Sequence, residues 1–372
     1  MLTRRELLAS ALFSPAAGKW SLARRGERSA FQSPEGKRTF LLGVNHAAQA
    51  AAVMKPAAIR QTILDLGYNS AGYGAPEPSD GKTPWFAALD MVANSHYLAP
   101  DKFQYADVFD STFKQTLRNK IRALCDRHKN DPSLVGYYWT DTPRWDPEIA
   151  RRTRGTNWLE YYRALPTDAP GRQLLAKLDF APNASLQAIA REIFQLSAGE
   201  FRAADPGRLL LGERYKLYDH PTPVLEEAAK YTDAVAIQPG PATGPKPGQG
   251  NDETTFDRAA FDNVHRVTKK PVIICDHACS FYTGEYPVTL WNQFPSREEA
   301  TAAMTAYARA AMERPYLLSY SRCQFIGRFD PARQLLKQGL LLPDGRRDEA
   351  LCKLTQQSNA ALLKRFSELW MR

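Results

Sequence analysis

From about residue 39 onward, short apolar runs alternate with longer stretches of helical periodicity. This alternation limits the possible folds more than any other feature of the chain. Runs at residues 39–45, 69–73, 85–92, 134–140, 209–212, 234–238, 271–275 and 317–320 read as strands. Helical patterns fall at 55–66, ending at Gly67, at 111–128, and from about residue 185. Another begins at Thr222-Pro223, where Thr suits the cap and Pro the first helical position. Ser296 and Glu299 form a capping-box pattern that opens the next, and a last amphipathic helix covers 348–370. Strands separated by helices pair in parallel through right-handed crossovers. Eight such units over 372 residues predict a (β/α)8 TIM barrel rather than an open sheet.

One connection is oversized. Residues 142–182 form an insertion after the fourth strand, carrying Trp145, Trp158, Tyr161, Tyr162, Arg151, Arg152 and Arg154. That is too aromatic for disorder. Long connections in compact domains are usually functional, so the insertion is expected over the barrel mouth. Net charge is +9, but the cations are interleaved with acids and no nucleic-acid motif occurs, so nucleic acid is not the expected partner. Five cysteines without regular spacing read as buried thiols rather than a disulfide framework. At the N-terminus, Arg4-Arg5 precedes a modest apolar run and small residues, an order that resembles a twin-arginine export signal. The expected organisation is therefore residues 1–36 as export signal and leader and 37–372 as a single barrel domain. The expected location is periplasmic or secreted, with no membrane span.

Barrel enzymes place their chemistry at the C-terminal ends of the strands. Here those ends carry Asn45-His46, His96, Asp141, Glu213-Arg214, Gln238 and Asp276-His277, with Arg322 and Gln324 after the eighth strand. Asp141, Glu213 and Asp276 are the carboxylates directly at strand ends. Glycoside hydrolysis needs two carboxyls flanking a sugar, one to protonate the leaving oxygen and one as nucleophile or base. These three are therefore the expected catalytic residues, with Asp276 as nucleophile or base, Asp141 as acid and Glu213 as the alternative acid. Asn45, His46, His96, Trp139, Arg214, Gln238, His277 and Gln324 are expected to bind substrate. Trp139 offers a flat face for a sugar, and its competing role is core packing. Arginine in the insertion leaves an anionic carbohydrate open as the substrate.

Two stretches resemble the agarase-type glycoside hydrolases: Asp107-Val108-Phe109-Asp110-Ser111-Thr112-Phe113, and Asn130-Asp131-Pro132-Ser133-Leu134-Val135-Gly136-Tyr137-Tyr138. In that family a similar stretch leads into a fourth strand ending Asp-Asn-Glu. Residues 225–237 resemble its helix and sixth strand, and 270–274 the run into a nucleophile strand ending Gly-Glu-Phe. The similarity spans about residues 40–365 and implies a barrel acting on a polysaccharide or oligosaccharide. The chain departs from the family at both catalytic places. It reads Thr140-Asp141-Thr142-Pro143 after the fourth strand and Cys275-Asp276-His277 after the seventh. Asp is one methylene shorter than Glu, which widens the carboxyl separation.

Two other classes remain open. One is a catalytically altered, carbohydrate-binding barrel in which Asp141 and Asp276 only bond hydroxyls. The other is a metal-dependent hydrolase with His46, His96, His277 and Asp276 as ligands, although no His-x-His or His-Glu-x-x-His motif is present. No cofactor or metal is expected.

Overall fold

The computed structural model describes residues 18–92, 104–240, 254–286, 288–291 and 293–371. Its centre is a seven-stranded parallel sheet with helices packed on one face. In order across the sheet the strands are β4 (Leu41–Val44), β12 (Leu317–Arg322), β9 (Val272–His277), β8 (Val235–Gln238), β7 (Leu209–Lys216), β6 (Leu134–Asp141) and β5 (Trp85–Ala88). The remaining strands are β1 (Ser21–Arg25), β2 (Arg28–Gln32) and β3 (Arg38–Thr39) near the N-terminus, and β10 (Ser280–Phe281), β11 (Gln293–Phe294), β13 (Arg328–Asp330) and β14 (Leu335–Lys337) in later loops.

The expected second strand is not a continuous strand. Gly72 sits at φ +58, which interrupts extended backbone, and the segment makes only single parallel bridges, Gly43 to Ser70 and Tyr73 to Phe86. Those two bridges link the segment to both outer strands, β4 and β5. The third strand stops at Ala88, short of residue 92. The fifth runs past Gly212 to Lys216. Gly212 at φ +72 absorbs a register shift against β6, after which pairing resumes.

The helices follow their end signals. α1 (Pro56–Asp65) has Pro at its start. α2 (Ser111–His128) is capped by Asp110, which accepts from the amides of Thr112 and Phe113. α6 (Pro182–Ala204) and α8 (Arg258–Thr268) cover the sheet, with α7 (Thr222–Tyr231) between them. Thr222 does not cap α7: Pro221 holds the cap position, and Thr222 is already helical. Ser296 does cap α9 (Arg297–Met312), accepting from the Glu299 amide, and α10 (Glu349–Met371) closes the fold.

The long connection after β6 is helical rather than irregular. It comprises α3 (Pro147–Arg154), α4 (Trp158–Ala164) and α5 (Pro170–Ala176), with Asp146 and Asn157 as caps for the first two. Trp145 and Trp158 stack at 5.3 Å and anchor it. A buried ion pair between Arg144 and Asp219, at 2.8 Å, ties it to the loop after β7.

Two apolar layers result. The larger lies between strands and helices. The smaller takes the other face of the sheet, with Leu41, Tyr73, Phe86, Tyr138, Leu211, Ala236 and Cys275, and is joined by Trp20 and Phe31. Phe31 is fully buried, and the Ser29 amide bonds the Pro315 carbonyl. Residues 20–31 therefore pack against the sheet and the end of α9. Arg4, Arg5 and the apolar run lie outside the described residues. All five cysteines are buried and free, and no described helix is long and apolar enough to cross a membrane.

Candidate active site

Parallel pairing brings the ends of β4, β6, β7, β8 and β9 to one edge of the sheet, and there most of the expected residues meet. Asp276, at the end of β9, is held on both carboxylate oxygens. Asn45 Nδ2 donates to Oδ1 at 2.8 Å, and the Tyr73 hydroxyl donates to Oδ2 at 3.0 Å. Asn45 is itself fixed, donating to the Cys275 carbonyl and accepting from the Tyr73 amide. Gly72 makes this possible: a Cβ there would stand 2.2 Å from Asn45 Oδ1 and 2.9 Å from the Val44 carbonyl. Burial raises the Tyr73 hydroxyl well above the usual tyrosine range, and the Asp276 and Asp141 charges add to that, so it remains a donor. His46 Nε2 lies 3.2 Å from the same hydroxyl.

Asp141, at the end of β6, is joined to Asp276 through side chains. Arg214 Nε donates to Asp141 Oδ1 at 3.4 Å, and Gln238 donates to the same oxygen. The Arg214 guanidinium lies 4.3 Å above the Tyr73 ring, whose hydroxyl reaches Asp276. Burial works against the charge on Arg214, but Asp141, Tyr73 and Asp90 outweigh it and raise its pKa. Asp90, beyond β5, accepts from the Asp141 amide.

Four expected site residues point elsewhere. Glu213 is on the helix-facing side of β7, beside Tyr215, and accepts from Trp145 Nε1 at 2.6 Å. It is 2% exposed, and burial pushes its carboxyl up to about 8, against hydrogen bonds from Trp145, Tyr215 and Thr140. Trp139 is fully buried between strand and helix, packed on Phe194 and Phe201 of α6, so it presents no face to a sugar. His277 bonds the Tyr320 hydroxyl at 2.6 Å and packs on the Tyr307 ring, turned from Asp276 by strand alternation. Gln324 is fully buried and donates to the Ile326 and Lys337 carbonyls, tying together the loops after β12. His96 lies outside the described residues.

Other site residues escaped the sequence reading. Tyr73 ends the second, broken strand and follows the strand-end rule as well as Asn45 does. Lys216 lies beyond Gly212, where the fifth strand is expected to have stopped. Cys323 and Lys337 come from loops with no periodic signal. Lys337 is 5.7 Å over the Trp291 ring; Cys323 and Asp276 raise its pKa against the effect of burial, so it stays charged. Burial holds the Cys323 thiol well above its usual range, with Asp276 adding to the effect.

His46, Asp276 and Cys323 bring possible ligand atoms within 4.8 Å of one another, the one such group among the described residues. A soft divalent ion suits His and Cys donors. This set differs from the His46, His96, His277 and Asp276 grouping, because His277 faces away. The Lys337 ammonium already supplies positive charge beside Cys323 and Asp276. A separate cavity of about 350 Å³, lined by Arg60, Trp85, His128 and Asp131, lies toward the N-terminal ends of β5 and β6, away from Asp276.

This architecture is shared with solved glycoside hydrolases. An agarase superimposes with a TM-score of 0.73 at 15% identity, covering 94% of this chain and 64% of that one. An exo-beta-agarase gives 0.74 at 14% identity, covering 94% and 66%. A GH2 beta-galacturonidase from Eisenbergiella tayi, bound to galacturonate, gives 0.57 at 13% identity, covering 92% and 54%. The chain thus spans just under two thirds of the length of the two agarases. No family model matches the sequence, and no curated protein is significantly similar to it.

Proposed function

We propose that this protein is a glycoside hydrolase acting on a polysaccharide or oligosaccharide, on a closed (β/α)8 barrel. Asp276 is its nucleophile or general base and Asp141 its second carboxyl. The observation that carries the reading is the held carboxylate of Asp276. Donors from Asn45 and Tyr73 fix both its oxygens at a strand end, with Asp141 connected through Arg214. As nucleophile, an Asp276 oxygen bonds the anomeric carbon while the glycosidic C–O bond breaks. The leaving oxygen takes a proton from the acid, and water then hydrolyses the glycosyl ester. As base, Asp276 removes a proton from the attacking water instead. The short aspartates at both positions favour the second, wider geometry.

The rival reading, sugar binding without hydrolysis, draws on Asp141. Arg214 and Gln238 both donate to it, which suits an acceptor better than a proton source. Turnover of a glycan panel by wild type, Asp276→Asn and Asp141→Asn separates the two. Hydrolysis that Asp276→Asn abolishes supports the first, and ligand binding with no turnover supports the second.

The bridges at Ser70 and Tyr73 support closure of the ring. The anchors of the insertion to Glu213 and Asp219, on and just beyond β7, support its lying along the mouth. Export through the N-terminal Arg4-Arg5 segment is retained as a proposal, on the sequence order of that pair, the apolar run and the small residues.

A further inference from the structure

Two cations on the mouth-facing side of β7 have hydrogen-bonding capacity that the described residues leave unused. Lys216 is 3% exposed, and among the described residues no hydrogen bond or ion pair meets its ammonium. It shares a strand face with Arg214, two residues earlier, and its register partner across β8 is Gln238, the residue that donates to Asp141. Its charge is felt at Cys275, inside the sheet. Arg214 spends Nε on Asp141, while its Nη1 is buried without an acceptor. A buried cation with no counter-charge is costly unless a ligand supplies one. Arg214 has Asp141 and Asp90 nearby, and Lys337 has Asp276, whereas among the described residues no carboxylate forms an ion pair with Lys216.

Two arginines of the insertion are already engaged. Arg144 is committed to Asp219, and Arg151 pairs with Glu160.

We propose that Lys216, with Arg214 Nη1, forms a subsite for an anionic substituent of the sugar, either a uronic carboxylate or a sulfate ester. This rests on the hydrolase reading and names its substrate class. An oxyanion there would accept from a lysine and from the free arm of an arginine, as charge-assisted bonds. It would sit one strand from Asp141, so the acidic sugar would be the one at the cleavage point or next to it.

The test uses calorimetric titration of the full chain with D-galacturonate, D-glucuronate, their methyl esters, D-galactose 6-sulfate, D-galactose and D-glucose. The expected result is affinity about ten- to a hundred-fold higher for acid than for ester, falling with added salt and lost in Lys216→Met. Preference for the sulfate over the uronates supports the subsite and identifies sulfate as its ligand. Equal affinity for acid, ester and neutral sugar overturns it, as does a preference that survives Lys216→Met or no binding at all. Lys216→Met is also expected to unfold no earlier than wild type, since it removes a charge without a partner; marked destabilisation means the ammonium is a structural counter-ion and overturns the proposal. The two readings fail differently. Hydrolysis of neutral glycans with no preference for acidic ones removes the subsite alone, and uronate binding without any turnover removes the hydrolase alone.

Discussion

Replacing Glu213 by Gln tests whether this carboxyl is a buried structural group or part of the catalytic machinery. The side chain is 2% exposed and its carboxyl is pushed up to about 8, chiefly by burial. Its folded-state pKa is thus above the ordinary glutamate value of 4.5. Between those values the unfolded chain has released the proton and the folded chain has kept it. Stability from this group is therefore complete below about pH 4.5 and is lost as pH rises toward 8, with a slope of up to about 1.4 kcal/mol per pH unit. By pH 7 the loss is on the order of 3 kcal/mol. Gln is neutral throughout, keeps an oxygen for Trp145 Nε1, and can direct its amide at the hydroxyls of Tyr215 and Thr140. The assay is urea unfolding of wild type and Glu213→Gln at several pH values from 5 to 9, followed by tryptophan fluorescence. The stability difference, variant minus wild type, is expected to grow with pH up to about 8 and then level off. A difference that stays flat across this range refutes the assignment of a protonated, buried Glu213. Turnover is expected to survive the change, because the carboxyl lies behind the strand.

Four other predictions follow from the same contacts. Gly72→Ala puts a methyl group against Asn45 at a positive φ, so it should cost at least about 1–2 kcal/mol in thermal unfolding and lower activity in the variant that still folds; an unchanged melting temperature contradicts the packing. Asn45→Ala frees one oxygen of Asp276 and should reduce kcat with a smaller change in KM, measured on whichever glycan is cleaved. Asp219→Ala removes the buried counter-charge 2.8 Å from Arg144 and should cost about 3–5 kcal/mol in chemical unfolding. A chain beginning at residue 37 loses Trp20 and Phe31 and should melt well below the full chain by circular dichroism; equal melting temperatures contradict that packing.

Much of the architecture was legible because burial on both faces writes strands as unbroken apolar runs. β6 reads LVGYYWTD, with every residue but its last buried. Helix ends were legible where a cap is a side-chain hydrogen bond, as at Asp110 and Ser296. Proline also marked the start at Thr222-Pro223, although Pro221 and not Thr222 takes the cap position. Glycines at positive φ caused the larger misses. Gly72 breaks the second strand and Gly212 carries the fifth onward, and neither effect has a periodic signature. The strand-end rule found Asn45, Asp141, Arg214, Gln238 and Asp276, which do converge. Glu213 and His277 also end strands but face the helices, because bulges and alternation decide which face a side chain takes, and Trp139 takes its competing role in the core. Lys337 reaches the site from a loop hairpin, where only tertiary structure places it.

The most direct measurement is hydrolysis of a panel of neutral, uronic and sulfated glycans by wild type and Asp276→Asn, with product release followed chromatographically. Wild type is expected to cleave at least one glycan, and Asp276→Asn, folded as judged by its melting curve, to lose activity by about 10²-fold or more. Cleavage that persists near the wild-type rate in Asp276→Asn contradicts the central claim.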